Sequence, residues 1–215
     1  MTMQSTETAV VGILLAAGKG ERFDPSARRL KLLEPCAGGP DGTEPIAVAA
    51  ARRLRAAVGP VLAVVRDETD ANQDRLRTLL AEQGCTVLRC EQAREGIGAS
   101  IACAVRASAH ARGWVVALAD MPLIAPQTIA AVRKAIVDGA ASAAPFYRGQ
   151  RGHPVGFGAL CGAELASLTG DTGARELLAR HRPVRIDVED PGVLCDIDEP
   201  ADLEQAHRQA KDGVP

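Results

Sequence analysis

Short apolar runs alternate with longer amphipathic stretches in this chain, and this alternation constrains its fold more than any other feature. Residues 10–16, 61–65 and 114–119 are continuous apolar runs. Runs of this length are typical of strands buried on both faces of a parallel sheet. Residues 71–83 and 126–137 carry apolar side chains at helical spacing. The pattern predicts an α/β fold with a doubly wound, Rossmann-like, mostly parallel sheet and helices on both faces.

The second half of the chain is less regular. We expect strands over 142–147, 154–157, 184–188 and 193–197, a helix over 173–180, and a closing helix over 200–209. No long linker or low-complexity segment interrupts the sequence. We therefore expect one domain over 8–210, with flexible termini at 1–7 and 211–215.

Composition excludes several classes of protein. The formal charge of the 215 residues is −2, and aromatic residues make up 2%. A protein that binds nucleic acid through a basic surface or through stacking aromatics is therefore not expected. No apolar run reaches the ~20 residues of a membrane span. The six cysteines form no CxxC pair, which indicates reduced core thiols in a cytoplasmic protein.

The segment that follows the first predicted strand is the most informative. Its small residues are Ala16, Ala17, Gly18 and Gly20. Small residues let backbone amides approach a ligand and cradle phosphate, and Arg22 and Lys31 can add positive charge. The loop is neither a Walker A motif nor a dinucleotide fingerprint, because the required hydroxyl residue and final glycine are missing. The alternative is a tight turn with solvated basic residues.

Asp120 follows the apolar run 114–119, so it is expected at the carboxyl end of a strand. That edge binds ligands in open α/β sheets, and an isolated carboxylate there needs a cation or hydrogen-bond donors. Mg²⁺ commonly takes one or two carboxylates together with phosphate oxygens. The alternative is that Asp120 caps the following helix.

A second carboxylate is available near the predicted strand 193–197. Asp196 and Asp198 alternate along its end, so we expect their side chains to point to opposite sides. One of them can then face the same cleft as Asp120 and complete a metal site. The alternative is that Asp198 or Glu199 caps the closing helix.

Several motifs occur in a characteristic order. They are Leu-Ala-Ala-Gly at 15–18, Ala-Asp-Met-Pro-Leu at 119–123, Arg-Gly-His-Pro-Val at 151–155, Gly-Asp-Thr-Gly-Ala-Arg at 170–175 and Asp-Ile-Asp-Glu-Pro-Ala-Asp-Leu at 196–203. Together they resemble the MobA-like nucleotidyltransferases, and most closely the molybdenum cofactor cytidylyltransferase (MocA-like) branch. The resemblance runs from about residue 10 to residue 206, and it implies the nucleotide-diphospho-sugar transferase type of fold.

The resemblance implies transfer of a nucleotide from a nucleoside triphosphate to a phosphorylated acceptor, with release of pyrophosphate. The implied nucleotide-binding residues are Leu15, Ala16, Ala17, Gly18, Gly20, Arg22, Lys31, Gly98 and Ser100. The implied catalytic residues are Arg22, Lys31 and Asp120; the implied Mg²⁺ ligands are Asp120 and Asp198; and the implied acceptor-binding residues are His153, Asp171 and Gly173. Arg22 and Lys31 would neutralise the triphosphate and the leaving pyrophosphate.

The resemblance also bears on the substrates. An Ala-Ala-Gly loop is usual with CTP and a Leu-Ala-Gly-Gly loop with GTP, so Ala17 favours CTP, with GTP as the alternative. The implied acceptor is of the molybdopterin type, and a molybdoenzyme that receives the product is an implied partner.

The chain departs from the family pattern after Arg22. Asp24 stands where glycine is usual, and the loop before Lys31 is longer. Arg28, Arg29 and Lys31 are therefore alternatives for the main phosphate contact. We choose Lys31 because the leucines that follow it continue the family pattern.

The implied reaction is in-line attack by an acceptor phosphate oxygen on the α-phosphorus. A phosphate monoester is already ionised at neutral pH, so catalysis needs positioning and charge neutralisation, and we assign no general base. His153 is interpreted as a structural or substrate contact. Two alternatives stay open: a sugar phosphate or other small phosphate as acceptor, and a non-catalytic maturation factor that binds the cofactor for a molybdoenzyme.

Overall fold

The computed structural model describes residues 9–26, 28–37, 43–171 and 175–211. The strands are β1 (Val10–Leu15), β2 (Pro35–Ala37), β3 (Thr43–Pro45), β4 (Val61–Arg66), β5 (Thr86–Cys90), β6 (Gly113–Leu118), β7 (Ser142–Tyr147), β8 (Gln150–Arg151), β9 (Val155–Gly158) and β10 (Val184–Asp187). The helices are α1 (Ile46–Val58), α2 (Ala71–Glu82), α3 (Ile97–Ala107), α4 (Pro126–Val137), α5 (Gly162–Ala166), α6 (Arg175–Arg180) and α7 (Pro200–Lys211).

One eight-stranded sheet organises the molecule. Its order is β10-β7-β9-β6-β1-β4-β5, and β8 pairs with β7. β1 is parallel to both of its neighbours, β4 and β6, whereas β9 is antiparallel to β6 and β7. The sheet is therefore mostly parallel, as the apolar runs predict. β2 and β3 form a separate antiparallel pair.

Helices cover both faces of this sheet. Leu14 of β1 belongs to one buried cluster, which is shared with apolar residues of α1, α2, α4 and α7. Ile13, the preceding residue, belongs to a second buried cluster with residues of α3, α5 and α6. Successive side chains of a strand point to opposite faces, so a wholly apolar strand fills both cores. This confirms the predicted doubly wound architecture.

The connections of β1 place a crevice at its carboxyl end. The chain passes from β1 to β4 and β5 on one side, then crosses through α3 to β6 on the other side. Such a reversal leaves an open crevice beyond the strand ends, where ligands bind in this class of sheet. Leu15 pairs with Leu118, so the loops that follow β1 and β6 start side by side.

The predicted strand over 193–197 is wrong. Pro191–Leu194 forms a 3-10 turn instead. The carboxylate of Asp190 accepts hydrogen bonds from Gly192 N at 3.0 Å, Ala125 N at 2.9 Å and Thr128 Oγ1 at 2.7 Å. This buried acid ties the turn to the start of α4, so the segment cannot extend into a ladder.

The other predicted elements lie within a few residues of the observed ones. Residues 173 and 174 of the predicted helix 173–180 lie outside the described residues. The predicted flexible termini, 1–7 and 211–215, also lie outside them, apart from Lys211, which is the last residue of α7. The six cysteines are free thiols, as predicted. None of the described helices is long and apolar enough to cross a membrane.

Candidate active site

A cleft of about 530 Å³ opens at the crevice beyond β1 and β6. It is lined by Leu15, Ala17, Gly18, Lys19, Gly20, Glu21, Arg22, Lys31, Ala93, Arg94, Glu95, Gly96, Ile97, Ser100, Leu118, Asp120, Asp171 and Asp198. Residues from distant parts of the sequence therefore meet in one cavity, and most of the predicted site residues are among them.

The loop after β1 lines the cleft with small residues. Gly18 is exposed, and no atom lies within 4 Å of the position that a Cβ would take there. Gly20 has a φ of 69°, in the left-handed region that favours glycine. Its carbonyl accepts hydrogen bonds from Phe23 N at 3.0 Å and Asp24 N at 3.1 Å. This tight turn projects Arg22 towards the carboxylates of the cleft.

Four charged side chains form a continuous ion-pair network. Lys31 Nζ donates to Asp120 Oδ2 at 2.7 Å and to Asp198 Oδ1 at 2.8 Å. Arg22 Nη2 lies 2.6 Å from the second oxygen of Asp198, Oδ2. The two predicted metal ligands and the two predicted phosphate-binding cations thus come together at one point.

Local structure holds each member of the network in place. Lys31 begins a 3-10 turn, Lys31–Leu33, flanked by the buried Leu30 and containing the buried Leu32. Ile197 N donates to Asp120 O at 3.0 Å, which docks the segment of Asp198 beside the end of β6. Burial of the leucines therefore holds Lys31 in place, and the backbone contact places the segment of Asp198 beside Asp120.

The start of α7 leaves Asp198 free to face the cleft. Asp202 Oδ2 accepts hydrogen bonds from Asp198 N at 2.9 Å and Glu199 N at 2.7 Å. The side chain that satisfies these two N–H groups is therefore that of Asp202, and within the described part of the chain neither the Asp198 nor the Glu199 side chain makes such a bond. Asp198 lines the cleft, whereas Asp196 lines a separate pocket beside α7, although the segment that carries them is not the predicted strand.

The network favours the charged forms of Lys31 and Asp198. Burial alone would lower the pKa of Lys31, but the charges and hydrogen bonds of Asp120 and Asp198 raise it above its usual value. Burial alone would raise the pKa of Asp198, but Lys31 and Arg22 hold it below its usual value. Burial raises the pKa of Asp196 above its usual value. Ionised carboxylates suit cation binding.

The carboxylates fit a divalent cation. Asp120 Oδ1 is buried and has no hydrogen-bond partner among the described residues. A buried carboxylate oxygen without a donor is costly, and a cation would satisfy it. The described residues contain no group of three or more ligating side chains. A metal ion held by Asp120 and Asp198 would therefore need phosphate oxygens or water as further ligands.

Asp24, the acid that replaces the usual glycine, organises its own loop. Its carboxylate accepts hydrogen bonds from Ser26 N, Ser26 Oγ, Arg28 N and Arg29 N. Arg29 is turned away from the cleft, because its guanidinium binds Glu34 at 2.6 and 3.0 Å. Arg28 is exposed. Of the three alternative cations, Lys31 alone lines the cleft.

The opposite wall of the cleft comes from residues 93–97, before and at the start of α3. Besides Lys19 and Glu21 of the loop after β1, sequence reasoning missed a group of four lining residues, namely Ala93, Arg94, Glu95 and Leu118. They lie in a single 3-10 turn and at a strand end, where no apolar period marks them. Their position just after β5 and β6, at the carboxyl edge, is the only signal that could have found them.

Some predicted site residues do not line the cleft. Ala16 is buried in the core, and Gly98 instead donates its N–H to Gly170 O at 2.9 Å. His153 has a buried Nδ1 without a hydrogen-bond partner among the described residues, and burial lowers its pKa. Gly173 lies outside the described residues, whereas Asp171 does line the cleft.

The curated proteins with a related sequence align with this chain over only a part of their own length. The bifunctional protein GlmU of Geotalea daltonii is 31% identical over 121 residues, which are 56% of this chain and 24% of GlmU. GlmU of an Anaeromyxobacter strain is 33% identical over 131 residues, or 60% of this chain and 25% of that protein. The chain thus spans about a quarter of the length of these relatives.

Solved structures match almost the whole chain. Rv0371c of Mycobacterium tuberculosis has 26% identity and a TM-score of 0.74, over 95% of this chain and 100% of that one. Its manganese complex has 24% identity and a TM-score of 0.71, over 94% and 98% of the two chains. A nucleotidyl transferase of Methanothermobacter has 19% identity and a TM-score of 0.77, over 95% and 98%.

A family model covers most of the sequence. The model of the MobA-like NTP transferase domain matches residues 12–184. This range contains the loop after β1, Lys31, the segment before α3 and Asp120, and the resemblance seen in the motifs is thereby confirmed. The chain belongs to the MobA-like NTP transferase domain family of nucleotidyltransferases.

Proposed function

We propose that this protein transfers the cytidylyl group of CTP to a phosphorylated acceptor of the molybdopterin type, with a divalent metal ion, Mg²⁺, and releases pyrophosphate. One observation carries the proposal. Lys31 donates hydrogen bonds to both Asp120 and Asp198 beside the loop after β1, and Arg22 pairs with Oδ2 of Asp198. Two cations and two carboxylates beside a glycine-containing loop suit nucleotidyl transfer better than simple binding.

The loop and its cations would hold the triphosphate. Gly18 has no atom within 4 Å of the position that a Cβ would take, so a phosphate could approach the loop there, and Arg22 is largely exposed in the same cleft. A guanidinium and backbone N–H groups are both strong phosphate donors. Lys31, at the base of the cleft, would neutralise charge that develops on the phosphates.

Asp120 and Asp198 would hold the metal ion, which would supply charge neutralisation at the phosphate oxygens. Asp120 Oδ1, buried without a donor among the described residues, supports this assignment. The manganese complex described for Rv0371c is consistent with a divalent ion in a protein of this fold.

The reaction would form a bond between an acceptor phosphate oxygen and the α-phosphorus of the nucleotide. The bond that breaks joins the α-phosphorus to the oxygen that bridges to the β-phosphate, and pyrophosphate leaves with that oxygen. The attacking phosphate is already ionised, so no side chain needs to take a proton. Arg22 and Lys31 would act by orientation and by charge neutralisation.

Ala17 supports CTP over GTP as the nucleotide. Its side chain lines the cleft and is 9% exposed. A methyl group there limits how closely a base can approach the loop, which favours the smaller pyrimidine.

The acceptor is proposed from the resemblance to the cytidylyltransferase branch, and Asp171 and His153 are its proposed contacts. Free thiols are consistent with a cytoplasmic enzyme that delivers its product to a molybdoenzyme. A sugar phosphate is the alternative acceptor. A pure maturation factor is disfavoured, because binding alone does not require the network of Arg22, Lys31, Asp120 and Asp198.

Pyrophosphate release tests the proposal. The purified protein is incubated with Mg²⁺ and each of the four nucleoside triphosphates, without acceptor, with molybdopterin and with a panel of sugar phosphates. Release is expected with CTP and molybdopterin. Asp120→Ala is expected to abolish it, whereas Asp138→Ala, at an exposed i,i+4 pair with Lys134, should not. Unchanged turnover in Asp120→Ala would refute the proposed role, and release with another acceptor would reassign the substrate.

A further inference from the structure

The carboxylates proposed to bind a metal already have protein cations as partners. Lys31 occupies Asp120 Oδ2 and Asp198 Oδ1, and Arg22 occupies Asp198 Oδ2. Three of the four carboxylate oxygens are therefore engaged, and only Asp120 Oδ1 has no partner among the described residues. A metal ion that arrives alone would have to displace Lys31 to use both carboxylates.

Among the residues that the structure describes, the ammonium of Lys31 pairs with Asp120 and Asp198 alone. Lys31 is 5% exposed, and its ammonium makes its hydrogen bonds to Asp120 and Asp198 within the described part of the chain. Displacement by a bare divalent ion would leave a buried ammonium without a counter-ion, next to a second positive charge. Both effects oppose the binding of free metal.

A triphosphate in the cleft changes this balance. Lys31 lines the same cavity as Gly18 and Gly20, so phosphate oxygens held by that loop would offer its ammonium a new anionic partner. The carboxylates would then be released for the metal, and the phosphates would add ligands of their own.

We infer that Lys31 is a resident cation that keeps divalent metal off Asp120 and Asp198 until a nucleotide is bound. The inference rests on the proposed function, because it takes the triphosphate as the group that receives Lys31. Its consequence is that metal affinity in the absence of nucleotide is limited by Lys31, and that metal and nucleotide bind cooperatively.

Direct metal binding tests the inference without turnover. Free Mn²⁺ is measured by electron paramagnetic resonance in titrations of the nucleotide-free protein. Lys31→Met is expected to bind Mn²⁺ about fivefold or more tightly than the wild type, within the usual range of coupling between linked sites. Lys134→Met, which removes an exposed lysine paired with Asp138, should bind like the wild type.

A double variant checks where the ion binds. Adding Asp120→Asn to Lys31→Met should remove the gain in affinity, since the released carboxylate is then neutral. Lys31→Gln serves as a second variant, because its polar head is less disruptive beside two carboxylates if the methionine variant does not fold. Circular dichroism confirms the fold of each protein used.

The outcomes separate this inference from the proposed function. If Lys31→Met and Lys31→Gln bind Mn²⁺ no more tightly than the wild type, the inference is overturned, while acceptor-dependent pyrophosphate release still decides the proposed function. If no variant binds Mn²⁺, the inference falls together with the assignment of the two metal ligands. If the gain persists in the double variant, the ion binds elsewhere and the inference is also overturned.

Discussion

Lys31 and Asp120 are 89 residues apart in the sequence, and Lys31 Nζ lies 2.7 Å from Asp120 Oδ2. The contact joins the loop after β1 to the end of β6, across the point where the winding of the sheet reverses. Because β1 and β6 are parallel neighbours, the segments that follow them leave the sheet at the same edge, where Lys31 and Asp120 meet. The strand order thus brings Asp120 close to the loop after β1, and the packing of distant segments completes the charge network.

A substitution of Arg22 should weaken the use of the nucleotide without lowering the stability of the protein. The Arg22 side chain is 72% exposed and pairs with Asp198 at 2.6 Å. An exposed ion pair contributes about 1 kcal/mol or less, so Arg22→Ala should leave the melting temperature nearly unchanged. The loss of a phosphate donor should lower kcat/KM for the nucleotide about tenfold or more, since charge-assisted bonds are the stronger ones. Steady-state kinetics and thermal melting measure the two effects.

The control for Arg22 is Arg185→Ala. Arg185 is also exposed, pairs with Asp187 at 2.7 Å and lies outside the cleft. It should affect neither kcat/KM nor KM. Equal kinetics for Arg22→Ala and Arg185→Ala would show that Arg22 does not contact the nucleotide.

Ala17 should set the choice of base. Ala17→Gly removes the methyl group that lines the cleft and makes room for a larger purine, so the ratio of kcat/KM for GTP to that for CTP should rise. Ala16→Gly is the matched control, because Ala16 is its neighbour but is 2% exposed and does not line the cleft. The value of kcat/KM is measured for GTP and for CTP with the same acceptor. An unchanged ratio in Ala17→Gly would remove Ala17 from base selection.

Local patterns predicted the sheet well, because apolar strands and amphipathic helices carry their burial in their own sequence. The loop after β1 and Asp120 were also predictable, since both follow recognisable strands. The segment 193–197 was not, because its conformation depends on Asp190 and its contacts with Ala125 and Thr128. Nor could spacing reveal that Lys31 bridges the two carboxylates, since that contact depends on how distant segments pack.

Asp24 should make the loop before Lys31 sensitive to acid. Its pKa is lowered from 3.8 to about 2, mainly by the hydrogen bond from Ser26 and by backbone donors including Arg29 N. A depressed pKa contributes stability that is present above the ordinary value of 3.8 and is lost as the pH falls through about 2. Asp24→Asn should therefore be less stable than the wild type at neutral pH, and the difference should shrink between these values.

Urea unfolding at a series of pH values measures this difference. Asp138→Asn, which alters an exposed acid at the end of α4, provides the baseline for losing one surface carboxylate. A difference between wild type and Asp24→Asn that stays constant down to pH 2 would contradict the assignment of the loop's acid sensitivity to Asp24.

Gly96 should couple the start of α3 to the turn at 170–171. Its φ of 138° favours glycine, and a Cβ there would lie 2.5 Å from Gly170 O and would collide with Asp171 Oδ1. Gly96→Ala should therefore push this turn away from the cleft that Gly96 and Asp171 both line, and raise KM for the nucleotide.

Gly139→Ala is the matched control, because Gly139 has a φ of 101° but no atom within 4 Å of the added Cβ. Both variants carry backbone strain of about 1–3 kcal/mol, so chemical denaturation should detect a loss in each, but only Gly96→Ala should raise KM. A similar rise in Gly139→Ala would attribute the effect to general destabilisation and not to displacement of the cleft wall.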